Sequence, residues 1–327
     1  MAQARRTVDV PSLVAGAREG RSRAVARLIS LVEDGHAALP EVMAALAPHG
    51  GNTHVIGLTG SPGVGKSTTT AALIAAFRAQ DKRVAVLAVD PSSPFSGGAL
   101  LGDRIRMEQH ATDPGVFIRS VASRGHLGGL SFATPQALRV LDAAGFDVVL
   151  LETVGVGQSE VEVAARAETT VVIVAPGMGD GVQAAKAGIL EIGDVFVVNK
   201  ADRDGADDTV RDLRHMIQLG NPERSVDWRT PVVRTVASRG DGIPDLVESL
   251  VAHRGWLTSS GALADRRRRR ARAEIEAIAL ATLRRRLGDG GGLVTDAVAS
   301  AVASGDTDVY AAAREVVDRL TGEPGRQ

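Results

Sequence analysis

The chain contains no cysteine among its 327 residues. That excludes both a disulfide framework and a thiolate metal site. Histidine is sparse and unclustered, and His215 and His253 stand alone in the sequence, which places them by expectation at the surface or the core edge and not among metal ligands. Neither sign of charge is in excess, with a formal net charge of −1, so no whole-molecule field draws nucleic acid or a membrane surface. Long hydrophobic runs are also missing. Runs such as residues 147–151 and 170–175 have the length of buried parallel strands and fall far short of a bilayer. The opening Met-Ala-Gln-Ala-Arg-Arg leads into no apolar signal region, and a cytoplasmic protein is expected. The length suits one large α/β domain with a smaller helical part.

The stretch from His54 to Thr69 carries the strongest signal. A buried-strand pattern runs into Gly60-x-x-x-x-Gly65-Lys66-Ser67 and then into an alanine-rich helix. This is the order a phosphate-binding P-loop requires. Its backbone, Gly60, Ser61, Pro62, Gly63, Val64 and Gly65, folds into a nest of N–H groups aimed at phosphate, and the helix that follows adds the positive end of its dipole. Lys66 is placed for the β/γ oxygens, Ser67 for Mg²⁺, and Thr68 continues the first turn. The motif specifies a nucleoside triphosphate and leaves the base open.

Residues 8–48 read as two or three short helices, with Val10, Leu13 and Val14, then Val25, Leu28, Ile29 and Val32, then Val42, Met43 and Leu46 at three- and four-residue steps. Their apolar faces need a partner, either the main domain or a second subunit. From residue 54 to about 254, β-branched runs at 55–58, 84–89, 116–120, 148–151, 170–175, 195–198 and 232–236 alternate with helical patterns. The expected fold is therefore α/β, a mainly parallel sheet with helices on both faces and ligands at the carboxyl ends of the strands. An N-terminal helical arm (1–50), a nucleotide-binding domain (51–256) and a C-terminal helical segment (257–327) follow from this pattern.

The polar motifs fall at those strand ends. After the second strand comes Asp90-Pro-Ser-Ser-Pro-Phe-Ser-Gly-Gly, then Asp103, a loop suited to lie over the nucleotide. Asp90 and Asp103 suit a Mg²⁺ shell, with turn or helix-capping carboxylates as the alternative. The strand at 147–151 ends in Glu152-Thr-Val-Gly-Val-Gly-Gln158-Ser-Glu, a Walker-B arrangement with glutamate for aspartate, and Glu152 is read as linked to the metal through water. Gln158 sits farther from Glu152 than the water-orienting glutamine of small signalling GTPases does. A third glycine-rich loop spans 176–186 and is either a mobile element near the nucleotide or a simple turn. Asn199-Lys200-Ala201-Asp202 then names the base. A carboxylate accepts from guanine N1–H and N2–H₂, whereas adenine offers an acceptor there and leaves the charge unmatched. Asn199 would brace the loop, the Lys200 stem would lie along the base, and a backbone N–H of the loop containing Ser238 is placed for guanine O6.

The tail reads as helices, one through Arg266–Arg270 up to the break at 289–292 and a last one at 307–320. The arginine run would bind RNA or acidic lipid on one reading and is the solvated part of a long helix on the other. The second is preferred, since no aromatic residue is interleaved for base stacking; neither a nucleic acid nor a membrane partner is expected. Ile275, Ile278, Thr282 and Leu283 share one helical side, which suits a homodimer interface.

Together these residues resemble the methylmalonyl-CoA mutase-associated GTPases over nearly the whole length. The likeness rests on the P-loop, Val-Leu-Ala-Val-Asp90-Pro-Ser-Ser, Gly-Gly-Ala-Leu-Leu-Gly-Asp103-Arg-x-Arg-Met, Glu152-Thr-Val-Gly-Val-Gly-Gln-Ser-Glu and Asn199-Lys-Ala-Asp202. What the resemblance implies is a homodimeric GTPase using GTP/GDP and Mg²⁺, slow by itself and stimulated by an adenosylcobalamin-dependent acyl-CoA mutase whose cofactor loading and protection it gates. It also implies nucleotide and Mg²⁺ chemistry at Lys66, Ser67, Asp90, Asp103 and Glu152, and a third switch at 177–186 that communicates with the mutase, from which Lys186 or Gln183 is expected to be positioned against the transferring phosphate. This chain departs from many members there, with Asp180-Gly-Val-Gln183 and Lys186-Ala187 in place of Asp-Glu-Leu-Gln and two adjacent lysines. A P-loop kinase or transport-associated ATPase is the alternative function, opposed by the guanine motif. A nickel-insertion GTPase would need ligands this chain lacks.

Overall fold

The computed structural model describes residues 8–91, 110, 112–123, 133–153, 159–177, 190–220, 228–288 and 293–321. Seven strands form one sheet in the order β3-β2-β4-β1-β5-β6-β7, with every ladder parallel. They are β1 (His54–Thr59), β2 (Val84–Pro91), β3 (Val116–Ser123), β4 (Val148–Thr153), β5 (Thr169–Val174), β6 (Val195–Val198) and β7 (Val232–Arg234). All seven coincide with a β-branched run in the sequence; the five inner strands, buried on both faces, have no polar side to dilute the signal. The seventh stops short of Val236, whose backbone instead forms an isolated antiparallel bridge with Asp241.

Side-chain alternation divides the core. On one face Val148 and Leu150 of β4 join Ile56 and Leu58 of β1 and Leu73, Ile74 and Phe77 of helix α4 (Lys66–Arg78). On the other, Val149 and Leu151 join Leu87 and Val89 of β2, Leu141 of α5 (Ala133–Ala143) and the N-terminal helices α1 (Val10–Arg18), α2 (Ser22–Glu33) and α3 (Leu39–Leu46). The arm therefore packs on its own chain's sheet. Val10, Leu28, Ile29 and Val42 are almost wholly buried there, each worth about 1.5–3 kcal/mol of transfer free energy. Polar ties fix its position. The Arg119 guanidinium on β3 donates to Ser30 Oγ (3.2 Å) and to the Glu33 carboxylate, and the Asp142 carboxylate accepts from the Gly51, Asn52 and Thr53 amides at 2.6, 3.2 and 3.1 Å.

Further along lie α6 (Ser159–Arg166), the single turn α7 (Leu190–Ile192), α8 (Ala206–Gly220), α9 (Ile243–Ser259) and α10 (Ala262–Gly288). His253 on α9 corrects the expectation of a surface or core-edge residue, for it is 0% exposed. Thr169 Oγ1 lies 2.8 Å from its Nδ1 and 2.7 Å from His54 Nε2, while Asp194 Oδ1 lies 3.4 Å from its Nε2. Spread over four segments, that buried polar chain had no spacing to betray it. His215 is exposed, as read.

The chain divides into two compact units, Met1–Ala264 and Asp265–Gln327. The second holds most of α10, then α11 (Asp296–Ser304) and α12 (Val309–Thr321). Thr295 Oγ1 caps α11 by accepting from the Val298 amide, and Asp308 Oδ1 caps α12 by accepting from the Tyr310 and Ala311 amides. Helix α11, rich in alanine and serine with few large apolar residues, is the element the periodicity did not single out. Among the described residues no helix is long and apolar enough to cross a membrane.

Candidate functional site

Strand β1 lies between β4 and β5, so the loop leaving it emerges among the carboxyl ends of the sheet's central strands. Gly60 takes a φ of 144°, and a Cβ there would come 2.2 Å from Ile173 O on β5. Gly65, at φ 99°, is the left-handed residue from which α4 starts, with no side-chain cap. An uncapped helix end framed by such a loop presents amides and a positive dipole end to an anion. The Lys66 ammonium is drawn back over the loop, donating to Gly60 O at 2.7 Å and Ser61 O at 3.2 Å. Pro62 and Gly63 are exposed at the turn, Val64 is buried beneath it, and Thr68 is half-buried.

The alternation that puts Val148 and Leu150 against α4 puts Glu152 there as well. Its carboxylate, 2% exposed, is met by two hydroxyls from one face of that helix. Ser67 Oγ donates to Oε1 at 2.7 Å and Thr70 Oγ1 to Oε2 at 2.8 Å. Hydroxyl and carboxylate oxygens, with neither sulfur nor imidazole among them, fit a hard divalent cation. Thr70 was missed by motif reading. Its signal was the helical spacing Ser67, Thr70, Leu73, Ile74, Phe77, the stripe that α4 turns to the sheet.

A second junction joins the phosphate loop to the base loop. Asn199 follows β6, and its Nδ2 donates to Val64 O at 2.9 Å while its Oδ1 accepts from Thr235 Oγ1 and the Ala237 amide, both at 3.1 Å. One buried side chain thus holds three segments. Lys200 adopts a left-handed φ of 56° and reaches back to donate to Gly63 O at 2.6 Å. Asp202 is partly exposed beside it, with Arg239 Nη1 3.7 Å from its Oδ2, and Arg239 is itself held by Asp241 through Nε at 2.9 Å. Ser238 lies exposed in the turn after β7 that Asn199 braces.

The structure thus brings Lys66, Ser67, Glu152, Asn199, Lys200, Asp202 and Ser238 to the carboxyl side of one sheet. Asp103, Gln158, Gln183 and Lys186 lie outside the described residues, and Asp90 is described only in its backbone, at the end of β2. Among the described residues no group of three or more histidine and carboxylate side chains is arranged for a metal.

The family described as "Methylmalonyl Co-A mutase-associated GTPase MeaB" matches residues 25–290. A putative GTPase of Pyrococcus horikoshii is 45% identical over 314 residues, covering 96% of this chain and 99% of that protein. The methylmalonic aciduria type A homolog of Mus musculus is 35% identical over 274 residues, 79% of this chain and 66% of its own. Among solved structures, one described as LAO/AO transport system kinase superposes with a TM-score of 0.71 at 26% identity, covering 98% of this chain and 100% of that one. The chain belongs to the MeaB family of methylmalonyl-CoA mutase-associated GTPases.

Proposed function

We propose that this GTPase hydrolyses GTP slowly by itself and, when stimulated by an adenosylcobalamin-dependent acyl-CoA mutase, gates loading of the cofactor and protects the mutase. The observation that carries the hydrolytic part is the Ser67–Glu152–Thr70 junction at the foot of the phosphate loop. In this reading the loop amides and Lys66 hold the β/γ-phosphates, and Asp202 accepts from the guanine N1–H and N2–H₂. Ser67 and Glu152, with Asp90 and Asp103, hold Mg²⁺, which when bound offsets charge on the phosphate oxygens. Glu152 keeps its burial and its hydroxyl partners so that its charge is spent on the site and not on bulk water.

The partner is argued from the family's description and from the mouse relative's name. GTP/GDP exchange biases the loop at 177–186, with Gln183 and Lys186 completing the phosphate site when the mutase is engaged. Residues 257–327 serve as a homodimerisation segment, and the protein works in the cytoplasm. The alternative, a P-loop kinase or transport-associated ATPase, would use ATP, for which Asp202 offers no matching partner. The test is GTP turnover measured with and without a saturating acyl-CoA mutase. Stimulation supports the reading, whereas turnover that ignores the mutase removes the chaperone role and leaves the GTPase.

A further inference from the structure

Thr70 belongs to no phosphate-loop motif, yet it is the more deeply buried of the two hydroxyls on Glu152, 0% exposed against 6% for Ser67. We propose that Thr70 is a positioning residue for the divalent cation, acting through Glu152; the inference rests on reading Ser67 and Glu152 as the cation's ligands or its water-mediated holders. The two carboxylate oxygens are divided between the hydroxyls, Oε1 to Ser67 at 2.7 Å and Oε2 to Thr70 at 2.8 Å. Ser67 is the second residue of α4 and sits at the loop. Thr70 is one turn further in, on the side facing β4.

A hydroxyl has one proton, and Thr70 Oγ1 has two acceptors in reach, Oε2 and Lys66 O at 3.0 Å. The shorter, charge-assisted bond to the carboxylate takes it. Thr70 thereby anchors the far oxygen of a buried carboxylate. Oε1 is left as the oxygen turned toward the loop, and Ser67 is the hydroxyl that can release it to serve the cation. Groups that orient a metal's ligands in this way tune its affinity, and losing one typically costs 10–100-fold. A hydroxyl that merely satisfied the carbonyl of the preceding turn would have no such effect.

The experiment uses the full chain, a fluorescent GDP analogue and Mg²⁺ alone as the probe. GDP release is followed as Mg²⁺ is titrated into EDTA-stripped wild type, Thr70→Val, which is isosteric but lacks the donor, and Thr70→Ser, which keeps it. In Thr70→Val the Mg²⁺ midpoint should rise by roughly tenfold or more, while GDP affinity in EDTA is little changed; Thr70→Ser should return to the wild-type midpoint. Equal midpoints in wild type and Thr70→Val overturn the proposal while leaving the metal site itself intact. Wild-type release indifferent to Mg²⁺ would remove the metal reading and this inference together. If Thr70→Val does not fold, Thr70→Ala, which also lacks the donor, decides: a raised Mg²⁺ midpoint supports the proposal and a wild-type midpoint overturns it.

Discussion

In the proposed reading, Asp202 recognises guanine only while it is an acceptor on both oxygens. Asp202→Asn turns one of them into a donor facing guanine's own donors, which should cost about 1–3 kcal/mol in GTP binding and shift preference toward xanthine nucleotides. Competition of GDP, XDP and ADP for the loaded protein measures it, and equal affinity of the wild type for ADP and GDP would defeat the assignment. In the same reading Lys66 and Glu152 divide the phosphate chemistry differently. Lys66 bonds to the loop itself and would hold charge in the ground state, so Lys66→Ala should lose both triphosphate affinity and turnover. Glu152 acts from beneath, and Glu152→Ala should spare much of the binding and lose turnover, split by equilibrium binding against single-turnover hydrolysis. Near-wild-type turnover in both variants would sink this division. These residues were legible because each motif pairs a residue type with a strand end. Thr70 left only the helical spacing of the stripe that α4 turns to the sheet, which belongs to no motif, and the His54–Thr169–His253–Asp194 chain, set by tertiary contact, left no spacing at all.

At the scale of elements, alternation along β4 and β6 does the positioning. Glu152 continues the face of Val148 and Leu150, and Asn199 the face of Val195 and Val197, so both arrive on the side occupied by α4 and the phosphate loop. Asn199 then locks the two loops together, and Gly65 makes room for it. A Cβ at Gly65 would sit 2.3 Å from Asn199 Nδ2 on a backbone at φ 99°. Gly65→Ala should therefore weaken phosphate and base recognition together, by about tenfold or more in GDP affinity for roughly 1–3 kcal/mol of strain, and an unchanged affinity by calorimetry would show that the junction yields freely. The five inner strands were readable because both their faces are buried. Helix α11 was not, because its small residues give a weak period and its Thr295 cap is one threonine among many.

The loop at 177–186 belongs to the same scale. In the proposed scheme basal hydrolysis uses the residues brought together on the sheet, whereas stimulation enters through this loop. Gln183→Ala with Lys186→Ala should leave slow basal turnover nearly intact and remove most of the mutase's effect, which for groups of this kind reaches ~10³-fold. Undiminished stimulation in the double variant would reduce the segment to a turn.

For the whole molecule the question is what covers the second unit. Its helix α10 carries Ile275 at 68% and Ile278 at 41% exposure, on the side the sequence pattern marked as apolar, next to a run of five arginines at 266–270. Large aliphatic side chains left in water at that spacing suit burial by a second copy, and a two-fold pair would place the same stripe on itself. Leu283, two turns further, is 39% exposed and extends the stripe. Ile275→Asp with Ile278→Asp should thus convert a dimer to a monomer in sedimentation equilibrium, because charges opposed across a two-fold axis repel where the isoleucines would have packed. Basal GTP turnover per chain should persist, since the residues proposed for phosphate and base lie in the first compact unit, Met1–Ala264. A wild-type protein that sediments as a monomer at all concentrations would rule out the homodimer, and a variant that remains dimeric would move the interface off this stripe.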